Sequence, residues 1–266
     1  MACLERVPKL SLDKDFPIAV IAAITFCRVN GCATNPAAPA AGRLEIRPPT
    51  TSLAVGESEG FALFQVSAAG EGKQVDAAWS IDRPGIATVD AAGHTTAVDF
   101  GTATLTASAG GQSVLRSLRI VPDLTGIWVG ELLVLEETRV SGTGPFRPPP
   151  CMTEPLLPCP KVPLEFQLRQ THDVVTGTGV VLAPLPTGAV GAVTAEWDSI
   201  STIRLAGTFR TDEGFETELT EWKSDIGADA TSMTGRFTMT DHFTNFWGPQ
   251  VIMKKCEIVS LARTAR

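Results

Sequence analysis

Six cysteines and three histidines are the residues of this chain best suited to chemistry. Thiolates and imidazoles act as nucleophiles, bases and metal ligands only when other groups converge on them. Cys151 and Cys159 lie in a proline-rich stretch, each flanked by proline on at least one side. Their C-x7-C spacing has no second close pair, unlike zinc modules. In an oxidising compartment they could pair instead, and closing a loop of about nine residues would contribute roughly 2–3 kcal/mol. Pairing either of them with Cys256 would close about a hundred residues and contribute up to about 5 kcal/mol. The matched prolines favour Cys151–Cys159, with Cys256 buried in a final strand. Of the histidines, His94 and His172 fall in turns of different domains and read as solvated. Asp241 and His242 are neighbours on a strand, so their side chains point to opposite faces and form no dyad. Glu216 and Glu218 share one strand face that Thr220 continues, with Phe215, Thr217, Leu219 and Glu221 opposite. That pattern suits either a cation site or a solvated outer face, and the second reading is favoured. No nucleophile elbow, zinc-binding helix or phosphate-cradling glycine loop is present. The chain is therefore expected to have no catalytic residues, no metal and no cofactor, and to act by binding rather than by catalysis.

The elements that would position any such residue begin after an address. Phe16 to Cys27 (FPIAVIAAITFC) is an apolar run, too short for a membrane-spanning helix of about 20 residues. It fits the roughly 7–15 residues of a signal-peptide core. Val29-Asn30-Gly31-Cys32 follows it and resembles the lipobox of bacterial lipoproteins. The resemblance implies lipidation at Cys32 and a partner in the membrane through that lipid anchor, with ordinary signal cleavage as the alternative. Residues 1–32 are read as the signal. Residues 33–43 (ATNPAAPAAGR) are a Pro/Ala tether that cannot bury a core.

The remaining composition is that of a β protein. Threonine and valine abound, and 24 glycines with 19 prolines supply turns. The net charge of −7, without a basic cluster, argues against a nucleic-acid partner. Tyrosine is absent, which weakens any case for a stacking platform, and most of the five tryptophans suit cores better.

Residues 44–121 alternate in short runs with turn signals roughly every 8–12 residues, the pattern of a β-sandwich. Ala103, Leu105 and Ala107 take one face of a strand and threonines the other. Gly110-Gly111 should make a tight hairpin, and Trp79 should reach the core between sheets. Thr51 to Glu57 (TSLAVGE), Ala78 to Asp90 (AWSIDRPGIATVD), and Gly93 with Thr96 to Ala107 (TAVDFGTATLTA) closely resemble the bacterial immunoglobulin-like domain, group 2. That family implies a spacer or interaction module of surface and polysaccharide-associated proteins. Its matching positions are structural, so no binding residue carries over.

Residues 122–266 repeat a small motif, apolar–small–Gly followed by a strand, around Gly126, Gly177, Gly207 and Gly235. Strands are predicted over Ile127–Leu135, Leu164–Thr171, Val174–Leu182, Ala189–Glu196, Thr202–Arg210, Phe215–Lys223, Met233–Thr240 and Gln250–Leu261. Eight antiparallel strands close an up-and-down barrel that is filled or holds one small ligand. An open sheet or second sandwich is the alternative. The Gly126-Ile127-Trp128 opening and the Thr-Gly strand starts look like lipocalin- and avidin-type barrels, with Trp128 plugging one end. Residues 136–161 are read as a loop insertion. Phe243, Phe246 and Trp247 form an aromatic loop, expected to pack over the barrel end or to line its mouth or a partner surface.

The expected fold class is thus all-β: an immunoglobulin-like β-sandwich followed by a small antiparallel up-and-down β-barrel. The expected function is that of an exported bacterial cell-envelope lipoprotein. It would serve non-enzymatic surface interaction, adhesion or spacing, with an unidentified protein or polysaccharide partner. A lipocalin-like carrier of a small ligand is the alternative.

Overall fold

The computed structural model describes residues 42–146, 161–181 and 189–264. These residues form eighteen strands, and among them there is no helix. The N-terminal part contains β1 (Arg43–Arg47), β2 (Ser52–Ala54), β3 (Ser58–Gly60), β4 (Ala62–Val66) and β5 (Gly72–Val75). It continues with β6 (Ala78–Ile81), β7 (Ala87–Val89), β8 (His94–Ala97), β9 (Gly101–Ala109) and β10 (Gln112–Val121). They make three sheets of order β1-β4-β5, β2-β10-β9-β6 and β3-β8-β7. One core of Ile46, Leu53, Leu63, Leu105, Leu118 and Ile120 lies between them.

Local sequence explains this layout. On β9, Ala103, Leu105 and Ala107 are buried and the intervening threonines are not, as a period of two demands. The chain reverses into β10 through Gly110 and Gly111, whose φ angles of 57° and 77° suit a tight hairpin that side-chain-bearing residues disfavour. Trp79 is only partly buried and packs against the core from β6.

The C-terminal part is a closed barrel of eight strands, each antiparallel to its neighbours. They are β11 (Gly126–Ser141), β12 (Lys161–Thr171), β13 (Val174–Val181), β14 (Ala189–Trp197), β15 (Thr202–Arg210), β16 (Glu216–Ile226), β17 (Ser232–Asn245) and β18 (Gly248–Arg263). All eight arise where the alternation of apolar and polar residues placed them. Trp222, Phe166 and Phe209 fill the middle, and they and Trp128 are fully buried. Trp222 stacks on Phe237 with ring centroids 4.5 Å apart and tilts against Phe166 at 5.2 Å. The Trp128 indole donates to the Leu124 carbonyl at 2.8 Å, and the Arg263 guanidinium lies 5.8 Å from its ring. Trp128 thereby closes the end of the barrel nearest the N-terminal sheets.

Two boundaries differ from expectation. Glu136–Ser141, read as the start of the insertion, continue β11 to Ser141. The aromatic loop is likewise shorter than expected, because β17 runs to Asn245 and β18 begins at Gly248, which leaves only Phe246 and Trp247 in the turn. A bulge between Val134 and Glu136 shifts the inward phase by one residue. The alternation therefore breaks just where the charged part of the strand begins.

The repeated glycines mark close strand approach. A Cβ on Gly235 would fall inside the van der Waals radius of the Lys223 carbonyl oxygen, a backbone atom that cannot rotate away. Gly235→Ala is therefore expected to destabilise the barrel by about 1–3 kcal/mol. Gly85→Ala, with nothing near its Cβ, should stay within about 0.5 kcal/mol. Urea unfolding followed by tryptophan fluorescence checks this, and equal losses for the two variants would count against the close-approach account.

Candidate functional site at the distal rim of the barrel

The two ends of the barrel differ in chemistry. At the end near the N-terminal sheets, the β12–β13 turn places His172 at a φ of 56°. Its backbone N–H donates to Glu57 Oε1 at 2.9 Å, and its Nδ1 lies 3.0 Å from Glu57 Oε2. Nε2 faces Glu59 at 3.7 Å, and Arg119 approaches Asp173 at 3.9 Å. Glu57 also accepts from the Ala54 N–H at 2.9 Å, which ties the carboxylate to its own sheet domain. Arg263 donates to the Asp123 carbonyl at 2.7 Å on the connecting segment. His172 is thus a joint residue rather than the solvated turn histidine expected of it. Its partners lie 115 positions away in sequence, beyond the reach of any local pattern.

At the opposite end, β11, β17 and β18 have 16, 14 and 16 residues, against 8 to 11 for β12 to β16. The three long strands stay paired to their tips, through Glu137↔Lys254, Ser141↔Val251 and Asn245↔Gly248. They form a three-stranded arm on the rim. One face of the arm is polar and buried. Lys254 Nζ meets Asp241 Oδ2 at 2.6 Å and Glu137 Oε1 at 3.5 Å, and the Thr217 hydroxyl donates to Asp241 Oδ1 at 2.9 Å. Burial alone would lower the Lys254 pKa, but Asp241 and then Glu137 outweigh it and raise it above the ordinary value. One step inward on β18, burial pushes the Cys256 thiol up to about 12. Cys256 is free and buried in the last strand. Neighbouring Arg139 donates to the Gly144 carbonyl at 2.7 Å and lies over Phe146 at 5.0 Å. This cluster holds a fixed ammonium and a silent thiol, so it locks the arm to the barrel rather than exchanging protons near neutrality.

The arm ends in two exposed aromatics. Phe246 is 94% exposed and Trp247 53%, in an edge-to-face pair with centroids 5.5 Å apart. Phe243 alone packs inward, stacked on Phe215 at 5.4 Å. The expectation that this segment packs over the barrel end therefore holds for Phe243 and fails for Phe246 and Trp247. A short turn between long paired strands holds those two rings beyond the rim.

The other residues singled out above are dispersed. His94 is exposed at the start of β8. Asp241 is buried while His242 lies on the other face of β17, as a strand requires. Glu216 pairs with Arg210 at 2.6 Å on the outer wall. Glu221 is not opposite Glu218. A bulge with φ of 52° at Glu221 turns it outward and Trp222 inward. Glu218 and Glu221 border an outer groove of about 860 Å³ whose other lining includes Thr194, Thr208 and Arg210. Among the described residues no group of three His, Cys, Asp or Glu side chains could hold a metal ion. Cys32, Cys151 and Cys159 lie outside the described residues. Sequence reasoning missed Glu137, Lys254 and Gln250, and the one available signal was the charged alternation of Glu137 and Arg139 along β11.

No protein-family description matches the chain, and no curated protein matches it. Among solved structures it is similar to domains 5–6 of the S-layer protein SbsC, at 14% identity and a TM-score of 0.29. That match covers 81% of this chain and 98% of the other. A likeness at that level carries no argument about function.

Proposed function

We propose that the protein is a non-enzymatic interaction module of the bacterial cell envelope, exported and anchored by a lipid on Cys32. In this reading the sheets of residues 44–121 are a group 2 immunoglobulin-like sandwich. They act as a spacer, and the lipocalin-like barrel is the head that meets the partner. The observation that carries the proposal is the unequal use of the barrel's ends. One end is fastened to the N-terminal sheets through Glu57, His172, Arg119 and Asp173. The other projects an arm with exposed aromatics into solvent. A strand of the N-terminal segment, β2, lies parallel to β10 while β1 belongs to a different sheet, an arrangement that suits a sandwich whose first strands divide between its layers. The leader, tether and module order favour an envelope location.

The rival reading, carriage of a small ligand, needs an apolar cavity inside the barrel. Trp222, Phe166, Phe209 and Phe237 occupy that space, which favours the interaction reading. The test of anchorage is metabolic labelling with a palmitate analogue in a bacterial host. The wild-type chain is expected in the membrane fraction and labelled, and Cys32→Ser is expected to lose the label. An unlabelled wild-type chain in the cytoplasm would sink the proposal.

A further inference from the structure

We propose that the tip of the arm is a docking platform for a neutral polysaccharide chain. This deepens the interaction reading and rests on it. Exposed aromatics usually signal a partner when they are contiguous and held in place. The two rings are contiguous, and Trp247 is held in place. The Trp247 ring lies against Gly144, where any Cβ would collide with the indole. Its backbone N–H donates to Asn245 Oδ1 at 2.9 Å, and its carbonyl accepts from the Thr143 hydroxyl at 2.7 Å. Gln250, 3% exposed, braces the same turn by donating to the carbonyls of Thr143 at 3.0 Å and Gly248 at 3.3 Å. The Trp247 ring is thus pre-organised, and little of its conformational freedom is lost when a ligand lands on it.

The chemistry of the tip selects the occupant. Residues 141–146 (SGTGPF) and 242–250 (HFTNFWGPQ) contain no Asp, Glu, Lys or Arg. A nucleic acid needs cations along its phosphates, and a charged peptide needs opposite charges. Among the described residues, Arg139 at the base of this turn is already engaged by the Gly144 carbonyl at 2.7 Å and by the Phe146 ring, which leaves neither partner a row of free charges. A sugar ring offers an apolar C–H face to an aromatic ring and hydroxyls to nearby amides and hydroxyls. The rim supplies Thr143, Thr244 and Asn245, all exposed. Aromatic tips also suit the interfacial layer of a bilayer, and binding to lipid vesicles is the outcome that would assign the tip to that role instead.

The test is affinity electrophoresis of the purified full-length chain in gels containing dextran, galactomannan or a soluble β-glucan, with phosphatidylcholine vesicle flotation in parallel. At least one polysaccharide is expected to retard the protein. Trp247→Ala and Phe246→Ala should weaken that binding by about tenfold or more, the size of one well-placed contact, while Trp247→Phe retains most of it. No retardation by any of the three, retardation unchanged in the alanine variants, or vesicle binding in its place would overturn the proposal. The assay does not depend on lipidation, so failure here and failure of palmitate labelling are separate results.

Discussion

Lys254→Met is expected to cost the barrel about 3–5 kcal/mol, the loss typical of removing one member of a buried ion pair. Lys254 is 8% exposed and Asp241 3% exposed, so solvent cannot replace the missing ammonium. The substitution leaves the buried Asp241 carboxylate accepting from the Thr217 hydroxyl at 2.9 Å but facing no ammonium, and takes the Lys254 charge away from Glu137. For a chain of this size the melting temperature should fall by on the order of 10 °C. Adding Asp241→Asn to Lys254→Met removes the stranded charge, and the double variant should recover at least about 1 kcal/mol over the sum of the single losses. Thermal unfolding followed by tryptophan fluorescence reads both effects. Additive losses, or a single variant within about 0.5 kcal/mol of wild type, would mean that the cluster is hydrated and does not lock the arm.

The same cluster shows where the sequence stops being legible. Each barrel strand is visible in the sequence because one face is apolar and the other is not. On β12, Val162, Leu164, Phe166 and Leu168 alternate with Pro163, Glu165, Gln167 and Arg169, and the inward set is buried without exception. The arm breaks that signal. Its inward residues include Glu137, Arg139 and Asp241, which lie past the expected strand ends at Leu135 and Thr240, so there the hydrophobic pattern reads as a loop although the backbone pairing continues, while Lys254 falls inside the expected strand Gln250–Leu261. Bulges add a second obstruction. At Val134/Glu136 and at Thr220/Lys223 one extra residue flips the phase. A strict period of two then assigns Glu221 to the wrong face.

Long-range polar contacts were equally hidden. Nothing near His172 in sequence announces Glu57, because the contact exists only once the barrel's β12–β13 turn abuts the N-terminal sheets. The aromatic tip was half legible. Its composition identified a special segment, and the inference that three aromatics together must pack follows from burial statistics. The paired strands on either side overrule it by holding Phe246 and Trp247 beyond the reach of any core residue. Phe243, two residues within the strand, stays on the inward face with Phe215.

Between about pH 9 and pH 12 the barrel is expected to lose roughly 4 kcal/mol through Cys256 alone. The sign follows from the direction of the shift. The thiol has an ordinary value of 9.0 and is pushed up to about 12 by burial in β18. Below the ordinary value both folded and unfolded chains keep the proton, and nothing is lost. Above it the unfolded chain ionises while the folded one does not, so each pH unit favours unfolding by about 1.4 kcal/mol until the folded thiol also ionises. Lys254, whose pKa is raised as well, adds a further loss only above its own ordinary value of 10.5. Cys256→Ala removes the thiol contribution and keeps the lysine's. The variant should be less stable than wild type by about 1 kcal/mol near neutrality, for the lost sulfur packing. It should become the more stable of the two by about pH 11, where the thiol penalty has grown to roughly 3 kcal/mol. Urea unfolding of both chains across this range would reveal the crossing, whereas parallel curves would mean that water reaches the thiol and that the arm does not seal the barrel interior above it.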